Sequence, residues 1–407
     1  MSRVASSPFH LLVIQSDGSD WDGLLRGAID GPPGGGAALL RHSARSPMTF
    51  RDAAGKSRRL VVVQCAWADL EVGPANNWAT PRCLRCPCTV SKVYIDDGVP
   101  TPLAEPLSFF PDMAVIRNEV SSALYDFRNK LLALMYARIP SLNNLRSILL
   151  NADRASMMSA LADVADTTTP RMRLVPQQFC ADYHRASYDR VFPAVIKFGS
   201  AHAGFGKALM PDRRAFDDMR SILPMTKAEN CFVEPFLKVT HDLRLQKIGR
   251  ENYRAFRRES KSHDWKTNTG WSEVVEIPVE PRFSAWLDAA QGMFGPAATM
   301  DILTIDVLVT NEDGAPCEYV LEVNGTSSGF FHDGLDDRVV ASIVLQRLLE
   351  CVAERDAQCE RLEATDAERL AAQAGAVAAR RAASQTTDFA SALLSAKGAL
   401  RTVDGKV

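Results

Sequence analysis

Short runs of aliphatic and β-branched residues, broken by polar or glycine-rich turns, dominate the first part of the chain. Leu11 to Gln15 and Leu60 to Cys65 read as buried strands, with Gly31 to Gly36 as a Gly/Pro loop between them. Asp112 to Ile116 reads as a third strand, and Val120 to Ala137 carries apolar residues at helical spacing. The stretch from Gly73 to Pro106 is rich in proline, holds Cys83, Cys86 and Cys88, and reads as an irregular insertion. Together these elements predict an α/β lobe over residues 1–150, with the insertion at about 73–106. No internal repeat is visible.

The pattern changes from Phe192 onward. Ala194 to Phe198 and Gly206 to Met210 flank a Gly-rich loop, and an amphipathic helix follows with Phe216, Met219 and Leu223 on one face. Asp242 to Ile248 and Tyr253 to Arg258 flank a turn at Gly249, and Asp301 to Thr310 and Glu318 to Asn324 flank Asn311 to Gly314. This predicts an antiparallel α+β body. No proline follows Pro316, and the last 57 residues contain 16 Ala, so a long helix is expected from about Val339 to Ala383, followed by a polar, loose tail.

Composition narrows the class. Hydrophobic residues make up 46% and charged residues 24%, a globular balance that excludes wholesale disorder and fibrous folds. With 47 Lys+Arg against 49 Asp+Glu, the net charge of -2 provides no global attraction to nucleic acid or acidic membranes, so any basic site must be local. The longest apolar runs, such as Leu131 to Ala137, fall far short of the roughly 20 residues that span a bilayer, and Phe9 to Ile14 is too short for a signal-peptide core. Nine scattered cysteines suit a reducing compartment, and a cytoplasmic location is expected.

Three groups of residues carry candidate chemistry. Lys197 lies inside an apolar strand and is followed by a loop with Gly199, Gly204 and Gly206, then Lys207. A buried lysine calls for an anion, and such a loop can bring backbone N–H groups to phosphate oxygens. Phe205 stands where a Walker motif requires lysine, so no P-loop is present, and a mobile hairpin loop is the competing reading. Asp306 and Glu322 interrupt two aliphatic strands. In a hairpin symmetric about Gly314 they lie directly opposite one another, with Asn324 on the same face. Two carboxylates so placed repel unless a cation joins them, and hard oxygen donors suit Mg2+; a solvated sheet face is the alternative. Alternation also puts Asp242, Arg244 and Gln246 opposite Leu243 and Leu245, so Arg244 faces away from the core. Lys266 sits in the turn-prone run Trp265 to Gly270, and Cys231 to Leu237 reads as a buried extended connector.

In order, the blocks Ile196 to Lys207, Glu234-Pro-Phe-Leu237, Asp242 to Gly249, Trp265 to Gly270 and Leu321-Glu-Val-Asn-Gly325 resemble the ATP-binding core of synapsins, a branch of the ATP-grasp superfamily. Weaker agreement runs through Val63 to Leu70, Pro111 to Arg117 and Tyr136 to Asn143, so the resemblance covers about Phe9 to Leu349 without the insertion. It implies a fold of class α/β plus α+β: a pre-ATP-grasp domain over 1–150, a lid subdomain over 151–235, a C-terminal antiparallel subdomain over 236–350, and an Ala-rich tail over 351–407. It further implies that Lys197 meets the α-phosphate of ATP, that Gly204, Gly206 and Lys207 close over the β and γ groups, and that Glu234, Phe236 and Leu237 hold adenine and ribose. Arg154 matches a family lysine at the nucleotide, Lys266 and Arg244 would serve the triphosphate and catalysis, and Asp306, Glu322 and Asn324 would hold Mg2+, with Ca2+ or Mn2+ as alternatives.

Two departures stand out. Asp306 replaces the Glu of synapsins, and Asn324 replaces an apolar residue at a place where catalytic ATP-grasp ligases typically carry Asn. Two functions follow: a regulated, dimeric MgATP-binding protein, or a ligase that joins a small carboxylic acid to an amine through an acyl phosphate. Peripheral association with vesicles has little support. Cys83, Cys86 and Cys88 could offer zinc ligands but read better as unpaired thiols, and His202 reads as a loop histidine.

Overall fold

In the stretch FHLLVI, every residue but His10 is apolar, and both faces of the resulting strand are covered. Phe9, Leu11 and Val13 of β1 (Phe9–Ile14) enter one hydrophobic cluster, while Leu12 and Ile14 enter another. That two-sided burial is the signature of a parallel sheet. The structure, a computed structural model, describes residues 8–361 apart from 17–18, 31–46, 75–85, 96–98, 123, 183–185, 189, 200–205, 226–229, 261–271 and 331–333, together with 364–365, 368 and 373. It forms two compact units, one of residues 8–352 and the other of 1–7 with 353–407.

Within the first unit, α1 (Trp21–Asp30), β2 (Met48–Arg51) and β3 (Ser57–Cys65) follow β1. β3 pairs parallel with β1 over Phe9↔Leu60 to Ile14↔Cys65. Among its described residues, the stretch expected to be an irregular insertion is instead mostly strand. β4 (Leu70–Val72), β5 (Cys88–Ile95) and β6 (Val99–Phe109) make an antiparallel sheet in the order β4-β5-β6. Pro100, Pro102 and Pro106 all fall on β6, an edge strand, where a missing N–H costs no ladder bond. Cys83 lies outside the described residues.

β7 (Met113–Ile116) pairs with β1, and β8 (Ser141–Leu142) completes the order β2-β3-β1-β7-β8. The helix expected from Val120 starts only at Arg128, as α2 (Arg128–Tyr136). Upstream, the Ser122 hydroxyl accepts from the Leu124 N–H and the Asp126 carboxylate from the Arg128 N–H, local bonds that compete with helical ones. α3 (Leu145–Ala152) and α4 (Arg154–Thr167) follow, α4 capped by Asp153, whose carboxylate accepts from the Ser156 N–H at 2.8 Å.

A second sheet, in the order β11-β10-β12-β9, combines β9 (Gln178–Cys180), β10 (Ala194–Phe198), β11 (Lys207–Met210) and β12 (Cys231–Pro235). Ala194, Ile196, Met210, Cys231 and Val233 share a core with Phe216 of α5 (Arg213–Ile222). The expected extended connector is thus a central strand, β12.

The third sheet runs β15-β14-β13-β16-β17, with β13 (Val239–Ile248), β14 (Asn252–Ser260), β15 (Ser272–Ile277), β16 (Ile302–Glu312) and β17 (Ala315–Asn324). Leu243, Leu245, Ile305, Val307 and Val323 pack with Met157 and Leu161 of α4 and with Phe283, Trp286 and Leu287 of α6 (Pro281–Gln291). Residues 335–352 are helical and lay Val340, Ala341, Val344 and Leu348 on the β1 face of the first sheet. This helix starts ahead of the expected Val339. In the other unit residues 353–361 are helical, and most of the expected helix beyond them lies outside the described residues. Among the described residues no helix is long and apolar enough to cross a membrane.

Candidate functional site

Alternation on the third sheet sends Leu243, Leu245 and Ile305 to the core and leaves Arg244, Asp306 and Glu322 on the opposite face. The register places these three on one rung: Arg244↔Asp306 between β13 and β16, and Asp306↔Glu322 between β16 and β17. Thr304↔Asn324 is the next pair on that face.

The 306/322 pairing depends on a feature that symmetry alone does not supply. The turn between β16 and β17 has only two residues, Asp313 at φ 53° and Gly314 at φ 86°, joining the pair Glu312↔Ala315. Continued regularly, that register would set Asp306 against Leu321 and turn Glu322 to the other face. A bulge between Asp306 and Val307, where Val307 pairs with Val320, takes up Leu321 and restores the acid pair.

The acids are buried, Asp306 at 6% and Glu322 at 9% exposure. The Asn324 amide donates to Asp306 Oδ2 at 3.0 Å, and Arg244 Nη1 lies 3.5 Å from Asp306 Oδ1. Asp306 Oδ1 is itself buried and accepts no hydrogen bond. Arg154, the first residue of α4 and also buried, makes a charge-assisted hydrogen bond to Glu322 Oε2. Burial alone would push the Glu322 carboxyl up. The charges of Arg154, Lys207 and Lys197 outweigh it and hold the group well below the usual carboxylate range.

The second sheet supplies those lysines. Lys197 and Lys207 stand directly opposite each other on β10 and β11, a like-charge pair that costs stability unless an anion joins it. Lys197 is 2% exposed, and its Nζ lies 2.7 and 2.8 Å from the two Glu234 carboxylate oxygens on β12. Burial draws the Lys197 ammonium down to about 8, against the counter-pull of Glu234. Gln177 donates to Glu234 Oε2 at 3.0 Å. Gly206, at φ 65°, gives its carbonyl to the Phe198 N–H and turns the chain into β11. Phe236 and Leu237 follow β12, half-buried, with the Phe236 N–H bonded to the Pro193 carbonyl.

The structure therefore brings together Arg154, Lys197, Lys207, Glu234, Arg244, Asp306, Glu322 and Asn324. Gly204, Lys266 and His202 lie outside the described residues. Glu234 is engaged with Lys197, a contact the sequence did not suggest. Among the described residues no three His, Cys, Asp or Glu side chains gather to hold a metal, so the oxygen set here is two carboxylates and one amide.

Sequence reading missed the surroundings of a cavity of about 70 Å³ lined by Asn118, Asn151, Arg154, Glu322, Asn324 and Thr326 among others. Asn143 walls it. Its amide donates to the Ile302 carbonyl at 2.7 Å and accepts the Ile302 N–H at 2.6 Å, joining the first sheet to the start of β16. Arg117 donates to the carbonyls of Thr326 and Ser328 and lies 4.3 Å from the Phe330 ring centroid. Asn143 and Arg117 end two of the upstream blocks that resemble synapsins, which was the available signal.

A profile of the family described as "Synapsin, ATP binding domain" matches residues 143–349. A synapsin from Drosophila melanogaster is 28% identical over 247 residues, 59% of this chain and 23% of that protein, so the match spans less than a quarter of the relative. Among solved structures, D-alanyl-alanine synthetase A from Vibrio cholerae is similar with a TM-score of 0.50 at 12% identity, covering 86% of this chain and 98% of that one. A RimK domain protein ATP-grasp from Sphaerobacter thermophilus gives 0.45 at 17% identity, covering 83% and 99%.

Proposed function

The chain belongs to the family of synapsin ATP-binding domains, as an ATP-binding protein of ATP-grasp fold, and we propose that it takes the nucleotide as its magnesium complex, between the Lys197 sheet and the Asp306 sheet. One observation carries this reading: two opposed lysines on one sheet and two opposed carboxylates on another lie close enough for both lysines to depress Glu322. A polyphosphate satisfies the lysines, and a hard cation satisfies the acids.

The donor set fits such an ion. Asp306 Oδ1 is a buried acceptor that takes no hydrogen bond, and Glu322 and Asn324 add oxygens on the same face. When bound, the ion neutralises phosphate charge beside the two acids. The chain's own residues do the rest. Lys197, kept charged and aimed by Glu234, meets the α-phosphate, while Gly204, Gly206 and Lys207 cover the β and γ groups. Arg154, Arg244 and Lys266 serve the triphosphate, and the backbone of Phe236 and Leu237 serves the adenine and ribose. On this reading residues 151–235 act as the lid and 236–350 as the floor.

A second reading, an ATP-dependent carboxylate–amine ligase, is favoured by Asn324 on Asp306 and by the cavity beside Glu322. In it a carboxylate attacks the γ-phosphorus and ADP departs. An amine then displaces phosphate from the acyl phosphate, the protein contributing position and charge. Titration calorimetry of ATP with and without Mg2+, on the parent and on Asp306→Ala/Glu322→Ala, tests the first reading. Tight binding that needs Mg2+ and is lost in the double variant supports it, and unchanged, magnesium-independent binding refutes it. ADP release that depends on an added acid and amine would establish the ligase.

A further inference from the structure

Away from the nucleotide face, on the helix side of the second sheet, two cysteines meet. Cys180 ends the short edge strand β9, and Cys231 opens β12; the antiparallel register sets them directly opposite one another. Residues so paired have Cα atoms about 4.5–5.5 Å apart, inside the span a disulfide bridges. Both thiols are free and share a hydrogen bond. The proposed nucleotide-binding role makes no use of them.

We propose that Cys180 and Cys231 are a reversible disulfide pair, closed by a peroxide and opened by small thiols. Access and donors both point to Cys180 as the attacking sulfur. It keeps 8% exposure at the sheet edge, whereas Cys231 has 0% and the other close pair, Cys86 and Cys88, has 1% and 0%. The Cys231 thiol, the Ser187 N–H and the Gln178 amide all donate to its sulfur. Led by the first, they draw the Cys180 thiol below its ordinary value against the upward pull of burial, which favours its thiolate. Cys231, donating that bond, is pushed up and stays protonated until the second step.

The chemistry balances. Cys180 thiolate attacks one peroxide oxygen, the O–O bond breaks, and a sulfenic acid and water result after protonation. Cys231 sulfur then attacks the sulfenic sulfur, the S–O bond breaks, and hydroxide leaves with the Cys231 proton as a second water. Two thiols are oxidised to one disulfide and one hydrogen peroxide is reduced to two waters. The bond would tie β9 to β12 three residues along from Gln177, whose amide holds Glu234 and, through it, Lys197. It is independent of whether ATP is turned over.

The test treats the folded full chain with stoichiometric hydrogen peroxide, blocks the remaining thiols, and maps cross-linked peptides by mass spectrometry before and after dithiothreitol. The expected result is one linkage, Cys180 to Cys231, reversed by the reductant and lost in both Cys180→Ser and Cys231→Ala. A linkage between Cys86 and Cys88 in its place, or a Cys180 sulfenic acid that dimedone traps without any cross-link, would overturn the proposal. Because the mapping is read on the parent protein, it stands even where a variant fails to fold.

Discussion

The second and third sheets meet the same problem, facing like charges with at least one of each pair buried, with opposite signs and different remedies. On the second, Lys197 of the two facing lysines is paired with one carboxylate, Glu234. On the third, two facing carboxylates have two arginines, Arg154 at Glu322 and Arg244 at Asp306, and an amide from Asn324. The lysine side is thus short of negative charge, while the acid side is balanced in charge but leaves one Asp306 oxygen without a hydrogen bond. Each remedy is incomplete in the way a binding site must be, since full internal satisfaction would leave a ligand nothing to gain.

The sharpest way to break this comparison is to separate the fold's use of Lys197 from the nucleotide's. Lys197→Met strands Glu234 in a buried position and should cost about 3–5 kcal/mol by chemical denaturation. Lys197→Met/Glu234→Leu, with the pair removed together, should recover most of that stability and still bind no ATP. Recovery of both would show that the lysine has only a structural role.

A pH titration sharpens it next. Lys197 in the folded protein titrates near 8, against 10.5 for the ordinary group. Between those values the unfolded chain holds more protons, so its contribution to stability rises with pH across that window. ATP requires the charged form, so affinity should fall as pH rises above about 8, and binding there should take up close to one proton in calorimetry across buffers of different ionisation enthalpy. Absence of proton uptake would place the phosphates away from Lys197.

The smallest expected effect belongs to Asn324. Asn324→Leu removes the neutral donor to Asp306 and one amide oxygen from the ion's donor set but leaves both carboxylates, and should weaken MgATP binding only several-fold, about 1 kcal/mol, while abolishing any acid-dependent ADP release. Equal loss of binding and turnover would make the amide part of nucleotide affinity itself.

What could be read in advance follows from where the physics is local. Asp306 and Glu322 stood out because each interrupts an aliphatic strand, whereas Arg244 obeys strand periodicity, which alone puts it opposite Leu243 and Leu245. The acid register came out right through two compensating details, a two-residue turn and the bulge at Leu321, neither of which symmetry about Gly314 anticipated. The proline-rich stretch misled because proline opposes a strand only where its N–H is needed, and β6 is an edge. The Lys197–Glu234 pair, the Asn143 clasp on Ile302 and the packing of residues 335–352 on β1 arise between segments far apart in the chain, and no local pattern carries them.

Crystallographic anomalous scattering from Mn2+ with a non-hydrolysable ATP analogue examines the arrangement itself. The account predicts a manganese peak ligated by Asp306 and Glu322, the triphosphate against Lys197 and Lys207, and Arg154 released from Glu322 toward phosphate. A manganese–nucleotide complex bound elsewhere, with the Arg154–Glu322 and Lys197–Glu234 pairs intact, would contradict it.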